Sequence, residues 1–206
     1  RYLAVTGVQT CALPIYPEVM VRSGISYVDM AGASNNLSNE ITEPFGWNFE
    51  AVHKHQSDSW NNILNRVRIY SNDYREKVRF YTNLYRAFCR NTFSDADRRW
   101  VDAAGNIQKL DDPDAVALGC DAFWNTFWNL NQVWNLIAPE WSSRWVKSQL
   151  AMYDANGWLA KGPSGMKYIP VMVGEHEIPL LVSTYQMGIR NRSEEHTSEL
   201  QSQRDI

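Results

Sequence analysis

An aromatic and amide-rich run occupies the middle of this chain. Residues 119–136 carry three Trp, two Phe, four Asn and one Gln, and no charged residue follows Asp121. The apolar members recur at helical spacing, which favours a buried core helix. The amides also recur at helical steps, at Asn125, Asn129, Gln132 and Asn135. A buried amide is costly without hydrogen-bond partners, so these side chains must face water, one another or a polar ligand.

A sugar is one ligand that suits this composition. An aromatic face stacks on the apolar C–H side of a pyranose, and a side-chain amide offers donors and acceptors to neighbouring hydroxyls. The run therefore predicts either a core helix or one wall of a sugar-binding site.

Helical periodicity extends well beyond this run. Apolar residues at helical spacing predict five helices, over residues 47–67, 73–88, 122–138, 141–155 and 176–188. Pro139 breaks the pattern between the third and fourth of these, which permits an antiparallel helix pair. The sequence thus predicts a mainly α fold.

Three other stretches interrupt the helical pattern. Residues 19–28 alternate in polarity like a strand, and residues 31–36 resemble its exit loop. Residues 91–118 show no period and are rich in Asp, Gly and Pro, and loops of that length are usually functional or disordered. Residues 157–172 form a further loop with Gly and Pro.

The two ends of the chain are related at the nucleotide level. One nucleotide string can encode residues 1–15, and its reverse complement encodes residues 192–206. The string resembles a widely used short-read library adapter, which points to an untrimmed metagenomic read. We expect both ends to be non-native, to pack little against the other residues, and to leave 16–191 as a native span truncated at both ends.

Charge and cysteine content exclude few classes of function. The formal net charge is −3 and no basic stripe is visible, so nucleic-acid binding is unsupported. No apolar run approaches the roughly 18 residues that a membrane helix needs. The native span contains two cysteines, Cys89 and Cys120, and the sequence is compatible with a disulfide between them or with two free thiols. It contains neither a disulfide framework nor a Cys-x-x-Cys metal motif.

A series of short motifs follows a fixed order along the native span. It consists of Arg22-Ser23-Gly24-Ile25-Ser26-Tyr27, Asn36-Leu37 with Glu40, Phe80-Tyr81-Thr82 with Leu84-Tyr85, Phe93-Ser94-Asp95, Trp124-Asn125-Thr126-Phe127, Met152-Tyr153, Gly157-Trp158-Leu159 with Lys161, Met172-Val173-Gly174 with His176, and Tyr185 with Gly188-Ile189. In this combination the chain resembles glycoside hydrolase family 92, the exo-acting α-mannosidases.

The resemblance implies an N-terminal β-sandwich joined to an (α/α)6 helical barrel. Residues 16–46 would form the junction from the sandwich, with a short β segment. Residues 47–191 would form the first part of the barrel, which is the catalytic domain.

The resemblance also implies an activity. The full-length protein would remove terminal α-linked mannose from glycans by inverting hydrolysis, in which an acid protonates the leaving oxygen and a carboxylate activates water. Calcium would help to distort the sugar ring. In the family the acid, the base and most calcium ligands lie beyond the end of this chain, so we assign no catalytic or metal residue and expect the fragment to be inactive. Family members are periplasmic or secreted, and mannose-containing glycans are the expected partners.

Five residues are candidates for sugar binding: Trp124, Asn125, Trp158, Lys161 and His176. Asn125 stands where many family members have Asp, and Trp128 stands where they have Arg, which affects the expected substrate preference. Trp158 and Lys161 could reach a sugar from the loop 157–172, or could be a buried anchor and an exposed cation. Other departures from the family pattern are Arg98 for Gly, Ala160 for Pro and Ser183 for Asp.

Several acidic and histidine residues look functional but have simpler interpretations. Asp95 and Asp97 are expected to be solvated loop carboxylates or turn caps. In Glu175-His176-Glu177, adjacent side chains on a helix diverge, so Glu175 is expected to interact with a helix dipole. His53 and His55 are expected on a solvated helix face.

Two other functions remain open at this stage. One is a noncatalytic glycan-binding protein on the same scaffold, and the other is a different (α/α)6 glycosidase or lyase. The downstream sequence, with or without its acid and base, would distinguish them.

Overall fold

The chain is mainly helical. The computed structural model describes residues 19–119, 126, 128–159, 163–164, 167–168 and 176–190. The helices are α1 (Met30–Leu37), a π-helical turn (Ser38–Thr42), α2 (Glu43–Phe45), α3 (Phe49–Leu64), α4 (Tyr74–Phe88), α5 (Leu130–Ile137), α6 (Pro139–Asn156) and α7 (Glu177–Gln186). Two antiparallel pairs join β1 (Arg99–Val101) to β2 (Ile107–Lys109) and β3 (Pro163–Ser164) to β4 (Lys167–Tyr168). None of the described helices has the length and apolar character needed to cross a membrane.

Four predicted helices are confirmed with small shifts at their ends: α3, α4, α6 and α7. Local side chains define where they begin. Asn48 caps α3 by accepting from the Ala51 N–H, and Asp73 caps α4 by accepting from the Arg75 N–H. At the end of α6, Gly157 has φ +75°, the left-handed conformation that glycine adopts without strain.

The prediction for residues 19–36 is wrong. Residues 19–28 form no strand, because a strand needs a hydrogen-bonded neighbour and none lies beside it among the described residues. The predicted exit loop 31–36 belongs to α1, which Asp29 caps by accepting from the Gly32 N–H. Small and amide residues give α1 little apolar periodicity, so its helical character was hidden.

The predicted helix 122–138 is partly wrong. Within the described residues, Thr126, Trp128 and Asn129 lie in turns, and the helix begins only at Leu130. The remaining predicted residues before α5 lie outside the described part of the chain.

The main core lies where α4, α5, α6 and α7 meet. The Trp134 ring stacks on Phe88 at a centroid distance of 5.7 Å, and its Nε1–H donates to the Ala87 carbonyl at 3.0 Å. Buried side chains from α4, α6 and α7 belong to the same core; they include Leu84, Trp145, Val146, Leu180 and Leu181. Helix α3 lies at the edge of this core and contributes its partly buried residues Trp60, Ile63 and Leu64.

Residues 91–118 form an ordered excursion with a small core of its own. Hydrogen bonds close its base, from the Phe93 N–H to the Ala117 carbonyl and from the Gly119 N–H to the Asn91 carbonyl, both at 2.9 Å. The β1–β2 hairpin lies between them, and Trp100 packs edge-on to Phe93. A second cluster, Phe93, Trp100, Leu110, Ala115, Ala117 and Met152, attaches this excursion to α6.

Candidate functional site

Helices α5 and α7 meet near their C-terminal ends. The Thr184 hydroxyl of α7 donates to the Asn135 side-chain oxygen of α5 at 3.3 Å, and the Asn135 amide donates to the Met187 sulfur at 3.3 Å. Helix α6, which follows α5 after Ala138, packs in the same hydrophobic core as these two helices.

We call the region defined by Asn156–Trp158, Tyr168 and His176–Glu177 the α6–α7 end. Trp158 lies just after α6 and is 64% exposed, so its indole is available to a ligand. The Trp158 ring centroid lies 6.5 Å from that of Tyr168, with a tilt of 46° between the planes. The Tyr168 hydroxyl accepts from the Asn156 amide at 3.1 Å and donates to the Met152 carbonyl at 3.2 Å.

The start of α7 completes the α6–α7 end. His176 directly precedes the helix and is partly buried, while Glu177 in its first turn is only 2% exposed. Burial of Tyr168 raises the pKa of its phenol well above the ordinary value, and the negative charge of Glu177 adds to this effect. The phenol therefore remains protonated at neutral pH, and the effect of Glu177 shows that Tyr168 lies near the start of α7.

The structure describes two of the five predicted sugar-binding residues, Trp158 and His176, and brings both to the α6–α7 end. Trp124, Asn125 and Lys161 lie outside the described residues, so their roles stay predictions. Of the predicted amides, Asn129 is exposed, whereas Asn135 is buried and bonded to Thr184 within the core.

Tyr168 and Asn156 are functional candidates that the sequence did not indicate. Only the aromatic character of Tyr168, in a stretch with Gly and Pro, distinguishes it. Its contacts join residues 12 and 16 positions apart, which no local pattern reports.

A cleft that shares no lining residue with the α6–α7 end lies between residues 23–27, α1, the π-helical turn and residues 92–95. Its volume is about 390 Å³. Three of the family-like motifs meet there, those at Ser23, Asn36 and Phe93. Because the exposed Trp158 lies elsewhere, we treat the α6–α7 end as the candidate sugar site.

Asp95 forms the floor of that cleft. It is 5% exposed, and its carboxylate accepts from the Ser26 hydroxyl at 2.7 Å and from the Asn36 amide at 2.9 Å. The expectation of a solvated or capping carboxylate is therefore wrong for Asp95. A Cβ on Gly32 would come within 2.2 Å of the same carboxylate, so glycine is required there.

Arg99 joins the same junction through two carboxylates. Its guanidinium donates to Asp29 at 2.9 Å and to Asp97 at 2.6 Å. The Arg99 hydrogen bond lowers the pKa of Asp29. Burial raises the pKa of Asp97, but the hydrogen bonds and charge of Arg99 outweigh it, and the net shift is downward. Asp97 also accepts from the Arg99 N–H, as expected of a turn cap.

The described residues do not fit a calcium site. Within them, no group of three or more His, Cys, Asp or Glu side chains is arranged to hold a metal ion. The carboxylates of Asp95, Asp97 and Asp102 are each engaged by donors of the protein itself. His53 and His55 lie on the exposed face of α3, as predicted. Cys89 is exposed, while Cys120 lies outside the described residues, so their pairing stays open.

Solved structures of family GH92 enzymes from Bacteroides thetaiotaomicron share this fold. The alpha-mannosidase BT3965 matches with a TM-score of 0.76 and 24% identity, over 85% of this chain and 23% of that chain. Its complex with mannoimidazole matches with a TM-score of 0.75 and 23% identity, over 85% and 22%. The inverting mannosidase BT2199 from strain VPI-5482 matches with a TM-score of 0.73 and 22% identity, over 85% and 23%.

This chain spans about a quarter of the length of those structures. The likeness confirms the predicted fold class, part of an (α/α)6 helical barrel. A comparison with curated protein sequences finds no match.

The family comparison covers most of the chain. Residues 32–204 match the model of the glycosyl hydrolase family 92 catalytic domain. The matched range includes residues 192–204 of the C-terminal end, so the non-native origin of both ends stays a prediction. The chain belongs to glycosyl hydrolase family 92.

Proposed function

We propose that the full-length protein is a glycoside hydrolase that removes terminal α-linked mannose from glycans, and that this chain supplies part of its sugar-binding wall. The observation that carries the proposal is the family match over residues 32–204. The α6–α7 end supports it, because the exposed Trp158 indole offers a stacking face and His176, which directly precedes α7, offers a polar group.

The proposed reaction is an inverting hydrolysis. One carboxylic acid protonates the leaving oxygen, and a carboxylate about 6.5 to 9.5 Å away activates water on the opposite face of the sugar. The family resemblance places both groups, and most ligands of an assisting calcium ion, in sequence beyond this chain. The fragment alone would then be inactive.

The reaction can be tested on the full-length protein with a terminal α-mannoside. NMR of the first product formed should show β-mannose, and chelation of calcium should lower kcat/KM. Binding of mannosides without hydrolysis would instead support a noncatalytic glycan-binding protein. Activity only on other sugars would support a different (α/α)6 glycosidase or lyase.

Asn125 is the sharpest single test of the sugar-binding wall. In the full-length protein, Asn125→Ala should lower kcat/KM by about 5- to 150-fold with little loss of stability, because it removes one uncharged hydrogen-bonding group worth about 1 to 3 kcal/mol. Asn62→Ala, on the exposed face of α3, is the matched control and should change nothing. An Asn125→Ala variant that unfolds, or that hydrolyses mannosides unimpaired, would assign Asn125 to a structural role.

A further inference from the structure

Trp158 has to be held in place if it is to serve as a sugar platform. An exposed side chain that is free to rotate loses rotamer entropy when a ligand orders it, and this loss weakens binding. The side chains around an exposed aromatic ring therefore matter for binding even when they do not touch the ligand.

Tyr168 is itself fixed by a closed set of hydrogen bonds. Its hydroxyl contacts both the Asn156 amide and the Met152 carbonyl, and the Asn156 amide donates to the same carbonyl at 2.8 Å. Met152 and Asn156 lie one turn apart near the end of α6. Since Met152 is buried in the second core cluster, and Tyr168 packs against that cluster, the phenol is attached to a rigid part of the fold.

The Trp158 ring lies next to this fixed phenol. A centroid distance of 6.5 Å with tilted planes falls within the range of favourable aromatic pairs. Trp158 lies just after α6 and Tyr168 belongs to β4, so the contact joins β4 to the end of α6.

We propose that Tyr168 is a positioning residue, which holds the Trp158 indole as a platform for the sugar ring. The identity of the ligand as a sugar rests on the proposed function. The contact between the Tyr168 and Trp158 rings is independent of that function. Tyr168 acts through Trp158 and through the hydroxyl that ties it to α6.

The first experiment measures the contact in the 206-residue chain. With ¹⁵N-labelled Trp, the Trp158 indole N–H signal, identified by Trp158→Phe, should shift or broaden in Tyr168→Phe. A second Trp–Tyr pair provides a matched control, because the ring centroids of Tyr85 and Trp60 lie 4.3 Å apart. Tyr85→Phe should affect Trp60 and leave Trp158 unchanged. A Trp158 indole signal with the same position and width in Tyr168→Phe as in the wild type would overturn the proposal.

The second experiment measures binding in the full-length protein. Trp158→Ala should raise KM for an α-mannoside about 10-fold, and Tyr168→Phe about threefold, both with kcat unchanged. The double variant should be no worse than Trp158→Ala alone, because Tyr168 acts through Trp158. A KM of the double variant raised by the product of the two single effects would overturn the positioning role of Tyr168. A fall in kcat of Tyr168→Phe would also overturn it. A wild type that cleaves nothing, with the Trp158 signal still responding to Tyr168→Phe, would refute the proposed function and support the contact.

Discussion

Two regions of this molecule are held together by different forces. Helices α4 to α7 meet through buried rings and aliphatic chains, with Trp134 only 1% exposed at their centre. The junction between α1 and residues 91–118 is instead held by carboxylates, with Asp95 buried among Ser26 and Asn36 and with Arg99 joining Asp29 to Asp97. Apolar packing tolerates imperfect geometry, whereas a buried carboxylate stabilises the fold only while its donors remain in place.

Trp134→Ala tests the apolar region and should have the largest effect. Removing the ring leaves a cavity beside Phe88 and loses the hydrogen bond to Ala87, at a cost of about 3 to 5 kcal/mol in the free energy of unfolding. Denaturant unfolding of the 206-residue chain measures it. Trp128→Ala, which removes a 74% exposed ring, is the control and should cost less than about 0.5 kcal/mol.

Asp95→Ala tests the polar junction. The variant leaves the Ser26 hydroxyl without its acceptor and removes one of the two acceptors of the Asn36 amide, which should cost about 2 to 3 kcal/mol. Hydrogen exchange should accelerate mainly in α1 and the π-helical turn. The exposed Asp114→Ala is the control. Exchange that accelerates equally in α5 and α6 would show that the two regions do not unfold separately.

Acid should weaken the junction more than the helical core. The pKa values of Asp29 and Asp97 are lowered in the folded state, so their contribution to stability is present above the ordinary value of 3.8 and is lost as the pH falls through the folded values. Arg99→Met should therefore flatten the dependence of the unfolding midpoint on pH below about pH 4. Arg75→Met, on the exposed face of α4, should leave it unchanged. An equal slope in both variants would contradict the assigned role of Arg99.

Substitution of Arg98 should have the smallest effect on stability among these variants, and it tests backbone strain within residues 91–118. Its φ of +70° lies in the left-handed region, and its guanidinium donates to the Asp111 carbonyl at 2.7 Å. Arg98→Gly and Arg98→Ala both lose that bond, but only glycine relieves the strain. The glycine variant should be more stable than the alanine variant by about 1 kcal/mol in thermal unfolding. Equal stability would show that the turn carries no strain.

The helices α3, α4, α6 and α7 could be predicted because their signals are local. Asn48, Asp73 and Gly157 stand at the ends of apolar runs, and each acts within four residues of itself. The prediction failed in two places where the local signal was insufficient. Residues 19–28 alternate in polarity like a strand but have no neighbouring strand among the described residues. Helix α1 consists of small and amide residues, which give little apolar periodicity.

Motifs in the sequence indicated Trp158 and His176 as candidates, and both lie at the α6–α7 end, while their role in sugar binding stays a prediction. The sequence did not indicate Tyr168, because its contacts are with Met152 and Asn156, which lie 16 and 12 residues away along the chain.

The sequence by itself indicated the family through its ordered series of motifs. It determined the helical class and the positions of the long helices, because apolar spacing and capping residues act over a single turn. Only the tertiary structure decided that Asp95 is buried, 59 residues from Asn36 and 69 from Ser26, and that residues 91–118 have a core of their own. The physical reason is that burial and hydrogen bonding depend on what is near in space, and a one-dimensional pattern reports only what is near along the chain.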